Sequence, residues 1–168
     1  MTEKLNWYVM YTAPRAEKKV AQRLKEKGTE VYLPLVEEVR QWSDRKKKIE
    51  KPLFNGYIFV HTSKERLWES LQVSGAVKFI NFSGEHSVVQ QTEIETIKRI
   101  IATGVSVEVN TETIEKGELV RILGGPLQGF EGECIKKSNQ DYFIIRIPSI
   151  NQSVLVNVPR KFLEVIKQ

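Results

Sequence analysis

Through the first hundred residues apolar positions switch between a period of two and one near 3.6, and past Lys116 only the period of two remains. Asn6 to Tyr11, NWYVMY, reads as a first strand with Trp7, Val9 and Tyr11 on one face and Tyr8 and Met10 on the other. Ala16, Val20, Ala21 and Leu24 then follow Pro14 at helical spacing until Gly28, which serves as a C-terminal cap. Glu30 to Leu33 is a short strand stopped by Pro34, and Val36 to Trp42 is a second extended run. Ser43 to Lys48 breaks the pattern, so it belongs at the tip of a hairpin whose second arm passes through Ile49 into Lys51 to Val60, KPLFNGYIFV. From Phe54 this last stretch is a central strand, with Tyr57 and Phe59 on one face and Ile58 and Val60 on the other. Both faces are apolar and both need cover. A second helix is expected over Lys64 to Val73, a strand over Val77 to Phe82, and a third helix from a Thr92/Glu95 capping box through Ile94, Ile97 and Ile101 to Ala102.

Thr103 to Glu115 opens with Val105, Val107 and Val109 in alternation and then turns polar, which marks a domain boundary. It lacks the composition of a flexible Gly/Ser linker, so part of it is free to lie as an extended strap on either side. Beyond Lys116 about five short strands follow at close spacing, the pattern of a small barrel. Gly124, Gly125 and Pro126 make a tight turn, and Gly129 and Gly132 flank Phe130. The fold class read from this is α+β: an antiparallel sheet flanked by helices in residues 1–102, a linker over 103–115, and an all-β barrel in 116–168.

Charge adds a direction. The net charge is +5, from 26 Lys and Arg against 21 Asp and Glu, with a pI near 9.3. Lys18, Lys19, Arg23, Lys25 and Lys27 crowd the first helix, and Arg45 to Lys48 form a block of four. Such clusters suit nucleic-acid phosphates, although a solvated helix face or loop tip has the same composition. His61 and His86 have no ligand-spaced Cys, Asp or Glu, and the Gly-rich turn lacks the Lys-Ser/Thr of a phosphate loop, so no enzyme site, metal or cofactor is expected. The lone Cys134 sits inside a predicted strand as a buried structural thiol. Without a long apolar run or a signal-peptide pattern, the expectation is a cytoplasmic monomer with no membrane contact.

Two segments carry a family resemblance. KGELVRILGGPLQGFEGECIKK, Lys116 to Lys137, is similar to a KOW motif, the Gly-centred strand-turn-strand of SH3-like barrels. WYVMY, the helix RAEKKVAQRL and PLFNGYIFV resemble the NGN domain of the NusG transcription factors, with Asn55 standing where the family usually has proline. Together they cover nearly the whole chain. The PLF before Tyr57 and the run GAVKFINF, Gly75 to Phe82, look like the specialised paralogues RfaH and the UpxY capsule-operon antiterminators.

The resemblance implies a transcription elongation factor that binds RNA polymerase through the NGN domain and acts as a processive antiterminator, suppressing pauses on selected operons. Positions matching the family's contact with the coiled coil of the largest-subunit clamp are Tyr11, Phe54, Tyr57, Phe59 and Phe82, and Lys64 to Trp68 match a second contact across the cleft. Lys18, Lys19, Arg23, Lys27 and Arg45, Lys46, Lys47 and Lys48 would face upstream or non-template DNA. Leu127 and Phe130 would meet the barrel's partner, a small-subunit ribosomal protein or Rho. The rival reading is a ribosome-associated or RNA-binding KOW protein, in which the rings at Tyr57 are core and the barrel half alone binds RNA.

Overall fold

In the computed structural model, which describes residues 4–166, the chain divides into two units, Met1–Lys98 and Arg99–Gln168. In chain order the first part holds β1 (Leu5–Thr12), α1 (Glu17–Glu26), β2 (Glu30–Tyr32), β3 (Leu35–Gln41), β4 (Lys46–Pro52) and β5 (Tyr57–Ser63). A 3-10 turn at Lys64–Arg66 leads into α2 (Leu67–Ser70), then β6 (Ala76–Phe79), β7 (Asn81–Phe82), β8 (Glu85–His86), β9 (Val88–Val89) and α3 (Gln91–Ala102). The division between the units falls inside α3.

The first sheet is antiparallel in the order β2-β5-β1-β6, and β9 pairs β1 beside β6. Register places Val9 opposite Phe59 and Tyr11 opposite Tyr57, with Tyr32 opposite Phe59 on the far strand. One face therefore carries Trp7, Val9, Tyr11, Tyr32, Tyr57 and Phe59. The other carries Tyr8, Met10, Val31, Ile58, Val60 and Phe79, closed by Val20, Ala21 and Leu24 of α1 with Leu67 and Val73. Full burial of each such aliphatic side chain contributes about 1.5–3 kcal/mol, so the helical spacing of α1 is also its attachment to the sheet. On the first face the Trp7 indole N–H donates to Gln91 Oε1 at 2.6 Å, and the Lys98 ammonium sits 4.9 Å from the Tyr32 ring centroid. Burial under α3 pushes the Tyr32 hydroxyl up to about 12. Both faces of the central strand are thus covered, as their composition requires.

Several boundaries differ from the pattern-based ones. Phe54 precedes the strand instead of opening it: Gly56 takes φ +84 and the Tyr57 amide bonds back to the Phe54 carbonyl, so the chain turns before β5 begins. The expected second helix is one 3-10 turn and one α-turn. The expected strand Val77 to Phe82 breaks at Ile80, whose amide bonds to the Val9 carbonyl; beyond it β7 and β8 form a separate hairpin, turned through Ser83 and Gly84 at positive φ. In α3 it is Glu93 that reaches back to the Gln90 amide at 3.1 Å, in place of the Thr92/Glu95 box.

The second unit contains β10 (Val107–Asn110), β11 (Glu118–Ile122), β12 (Glu131–Lys137), β13 (Gln140–Ile147), β14 (Gln152–Asn157) and β15 (Leu163–Val165). They form one antiparallel sheet in the order β10-β14-β13-β12-β11-β15. This sheet-rich unit fits the KOW expectation. Gly132 lies where an added Cβ would stand 2.8 Å from the Phe143 ring, so close packing there requires glycine. Cys134 is buried in this sheet, and burial pushes its thiol up to about 11, far from a nucleophile. Within the stretch 103–115, part of which the sequence leaves free to lie as a strap, Val107 to Asn110 form β10 and pair with Ser153 to Val156. Its polar tail is fixed as well: the Arg146 guanidinium, bonded to Glu133 at 2.7 Å, donates to the carbonyls of Ile114 and Glu115 at 2.8 and 2.9 Å.

Candidate protein and nucleic-acid interfaces

Of the five aromatic candidates, two belong to the core. Phe54 and Phe59 are 1% and 0% exposed. The rings meet edge to face at 6.1 Å, and Phe59 stacks on Tyr32 at 6.2 Å. With helices over both sheet faces, a central ring has no route to solvent, which corrects their reading as contact residues. Tyr11 and Tyr57 are half-buried, with ring centroids 5.5 Å apart. Their position is set by Gly56: the Tyr11 ring occupies the space a Cβ would need, at 3.0 Å. The Gly56 amide donates to the buried Glu17 carboxylate at 2.9 Å, and the Thr12 amide donates to the Gly56 carbonyl. Register then sets the exposed Lys78 across from Tyr11 on the same face. The result is a row across three strands, Tyr57, Tyr11, Lys78, apolar with a cationic end. Phe82 stands apart on the β7–β8 hairpin and is 78% exposed. Trp68, on α2, is 73% exposed.

The basic candidates divide by occupation. Lys18 spends its ammonium on the Glu50 carbonyl at 2.7 Å, tying α1 to β4, and Arg23 donates to the Ser74 carbonyl at 2.7 Å. Lys19 and Lys27 are exposed on α1 and at its C-terminus. Arg45 to Lys48 are exposed at the tip and first residues of β4, in a ribbon where β3 and β4 pair from Leu35–Pro52 to Gln41–Lys46. Farther from the tip, Glu38 is paired with Arg40 and Lys51 at 3.7 and 3.3 Å. Trp42 at the tip was not among the expected site residues; its signal was an aromatic residue directly before a polar, basic turn.

In the second unit Leu127 is 2% exposed and closes the core, which corrects its assignment as a contact residue. Phe130 is partly buried and edge-on to Phe143 at 6.2 Å. The exposed large apolar residues described there are Leu123, which follows β11 out of phase with the buried Val120 and Ile122, and Val165, which lies opposite Val120 on β15. Among the described residues no cluster of His, Cys, Asp and Glu could hold a metal, and no helix is long and apolar enough to cross a membrane. His61 is engaged in the first unit, its Nδ1 2.7 Å from Glu30 and its ring stacked on Trp7. The exposed features are aromatic and cationic surfaces suited to macromolecular partners.

Residues 5–98 match the family model described as NusG, transcription termination factor. The transcription termination/antitermination protein NusG of Rickettsia typhi is 27% identical over 137 residues, 75% of this chain and 71% of its own length. Its counterpart in Borreliella burgdorferi is 28% identical over 147 residues, covering 75% and 79%. A solved structure of Thermotoga maritima NusG, described for its domain interaction, superposes with a TM-score of 0.52 at 22% identity over 98% of each chain, a likeness of fold.

Proposed function

The chain belongs to the NusG family of transcription termination and antitermination factors, and from that membership we propose that it binds RNA polymerase through the Tyr57–Tyr11–Lys78 row of its first unit. The observation that carries this reading is the tyrosine pair itself: two half-buried rings 5.5 Å apart, held over Gly56. Aromatic anchors with few rotatable bonds, beside an exposed cation, are what interface hot spots use, and a partner helix laid across the row would cover them. Phe54 and Phe59 support the pair from within the core, and the clamp coiled coil is the partner the resemblance names. Phe82 and the Trp68 segment offer further apolar contacts, the latter toward the opposite wall of the cleft.

In this reading Lys19, Lys27 and Arg45 to Lys48 meet DNA phosphates, while Lys18 and Arg23 hold the scaffold. Bound in this way the factor suppresses pausing on selected operons as a specialised antiterminator, a reading supported by the PLF and GAVKFINF segments. The second unit recruits a ribosomal protein or Rho, with Phe130, Leu123 and Val165 as its apolar surface. The deciding experiment is retention of core RNA polymerase by the full chain and by its Tyr57→Ala form. Tyr57→Ala should reduce retention at least tenfold, as loss of a hot-spot residue does, with the unfolding midpoint nearly unchanged. Equal retention by both forms, with RNA held by the second unit, would replace this reading with that of a ribosome-associated RNA-binding protein.

A further inference from the structure

The β3–β4 ribbon ends in a group that phosphate binding does not explain. The Trp42 amide closes the tip on the Arg45 carbonyl at 2.8 Å, and the indole is left 44% exposed. Two cations hold it: Arg45 Cζ lies 5.2 Å and Lys47 Nζ 5.7 Å from its ring centroid. From Arg40 to Lys48 the tip carries five cations and one carboxylate, Asp44. Phosphates alone would need only the cations, and a large exposed ring at a loop tip serves no core.

We infer that Trp42 is a stacking platform for an unpaired base of single-stranded DNA, with Arg45, Lys46, Lys47 and Lys48 taking the adjoining phosphates. The magnitudes favour the exchange. An exposed cation–π contact stabilises by about 0.5–1 kcal/mol, whereas a base stacked on an aromatic side chain contributes about 1–3 kcal/mol. A base can therefore displace one cation from the ring, and the cation moves to the phosphate beside that base. Before binding, the same cations keep the indole oriented, which lowers the entropy lost on stacking. A paired base in a duplex offers no free face, so the platform selects the unpaired state. The choice of DNA rests on the polymerase reading above, since transcription leaves one DNA strand unpaired.

The test uses the full chain and a labelled oligodeoxynucleotide of about twelve residues, within the usual span of single-strand sites, presented as single strand, as duplex and as the RNA of the same sequence. Trp42→Ala should weaken single-strand DNA binding roughly tenfold and leave duplex binding unchanged, and Trp42→Phe should recover most of the loss. Equal loss on single strand and duplex, no loss on either, or a Trp42-dependent preference for RNA would overturn the assignment. Polymerase retention keeps the two proposals separable. Trp42→Ala should retain polymerase as the unaltered chain does; a fall there with single-strand affinity intact would make Trp42 a protein contact and overturn the platform. If Tyr57→Ala leaves polymerase retention unchanged while Trp42→Ala still loses single-strand binding, the platform stands and the polymerase reading falls.

Discussion

The β1–β5 pair and the β3–β4 ribbon are built alike, each an antiparallel pair with seven residues matched to seven, yet they use aromatic residues in opposite ways. In the first, α1 lies on one face and α3 on the other, and Phe59 is 0% exposed. In the second, residues alternate with charges and Val39 and Trp42 stay open to solvent at 59% and 44%. What covers the strand decides whether a ring is core or contact. Tyr11 and Tyr57 show the intermediate case, at the end of a covered face where the rings are half-buried.

The sharpest way to break this comparison is stability. Phe59→Ala should cost about 3–5 kcal/mol, because it opens a cavity beneath Tyr32 and Phe54 that cannot collapse, whereas Trp42→Ala should cost no more than about 1–2 kcal/mol, the two exposed cation–π contacts it removes. Urea unfolding of each variant checks it, and comparable costs would show that the ribbon is packed against something. A smaller effect lies where the covered face ends. Gly56→Ala places a side chain at φ +84, a left-handed position costing about 1–2 kcal/mol for a non-glycine residue, and pushes a Cβ against the Tyr11 ring. Its melting point should fall by several degrees and polymerase retention should fall with it, in contrast to Tyr57→Ala, where retention falls alone. A Gly56→Ala form as stable as the parent would mean that the turn relaxes freely and does not hold Tyr11.

Periodicity makes most of this architecture legible in the sequence. Val20, Ala21 and Leu24 identify the buried side of α1, and the alternation in NWYVMY assigns the correct residues to the two sheet faces. What it could not supply was the depth of cover. Phe54, Tyr57 and Phe59 look equivalent in PLFNGYIFV, but the turn at Gly56 directs Phe54 inward and α3 closes over Phe59, both outcomes of contacts with residues far along the chain. Leu127 illustrates the same limit: a turn leucine is exposed or buried according to the barrel it closes. The segment 103–115 admits two readings in the sequence because Val107 and Val109 alternate like a strand while their neighbours are polar. Pairing with β14 decides between them, since an edge of that sheet was available to an extended chain. Trp42 needed the geometry of its two cations before it stood out from other exposed aromatics.

The smallest effect on stability, and the finest test of the ribbon, comes from its lysines. Lys46, Lys47 and Lys48 are exposed and Lys47 lies over the Trp42 ring, so replacing all three with Ala should leave unfolding within about 1 kcal/mol of the parent. Their contribution is to association, through released counterions. Each phosphate contact adds about 0.9 to the slope of log affinity against log salt on duplex DNA and about 0.7 on a single strand. The triple variant should therefore flatten the slope by up to about 3 on duplex and about 2 on single strand, while the Trp42→Ala variant lowers single-strand affinity at every salt concentration without changing the slope. The two substitutions divide one ribbon into a screened part and an unscreened part. A triple variant with the parent's slope would remove the lysines from the DNA contact, and a Trp42→Ala variant with a flattened slope would show that the ring acts only by positioning Arg45 and Lys47 on phosphates.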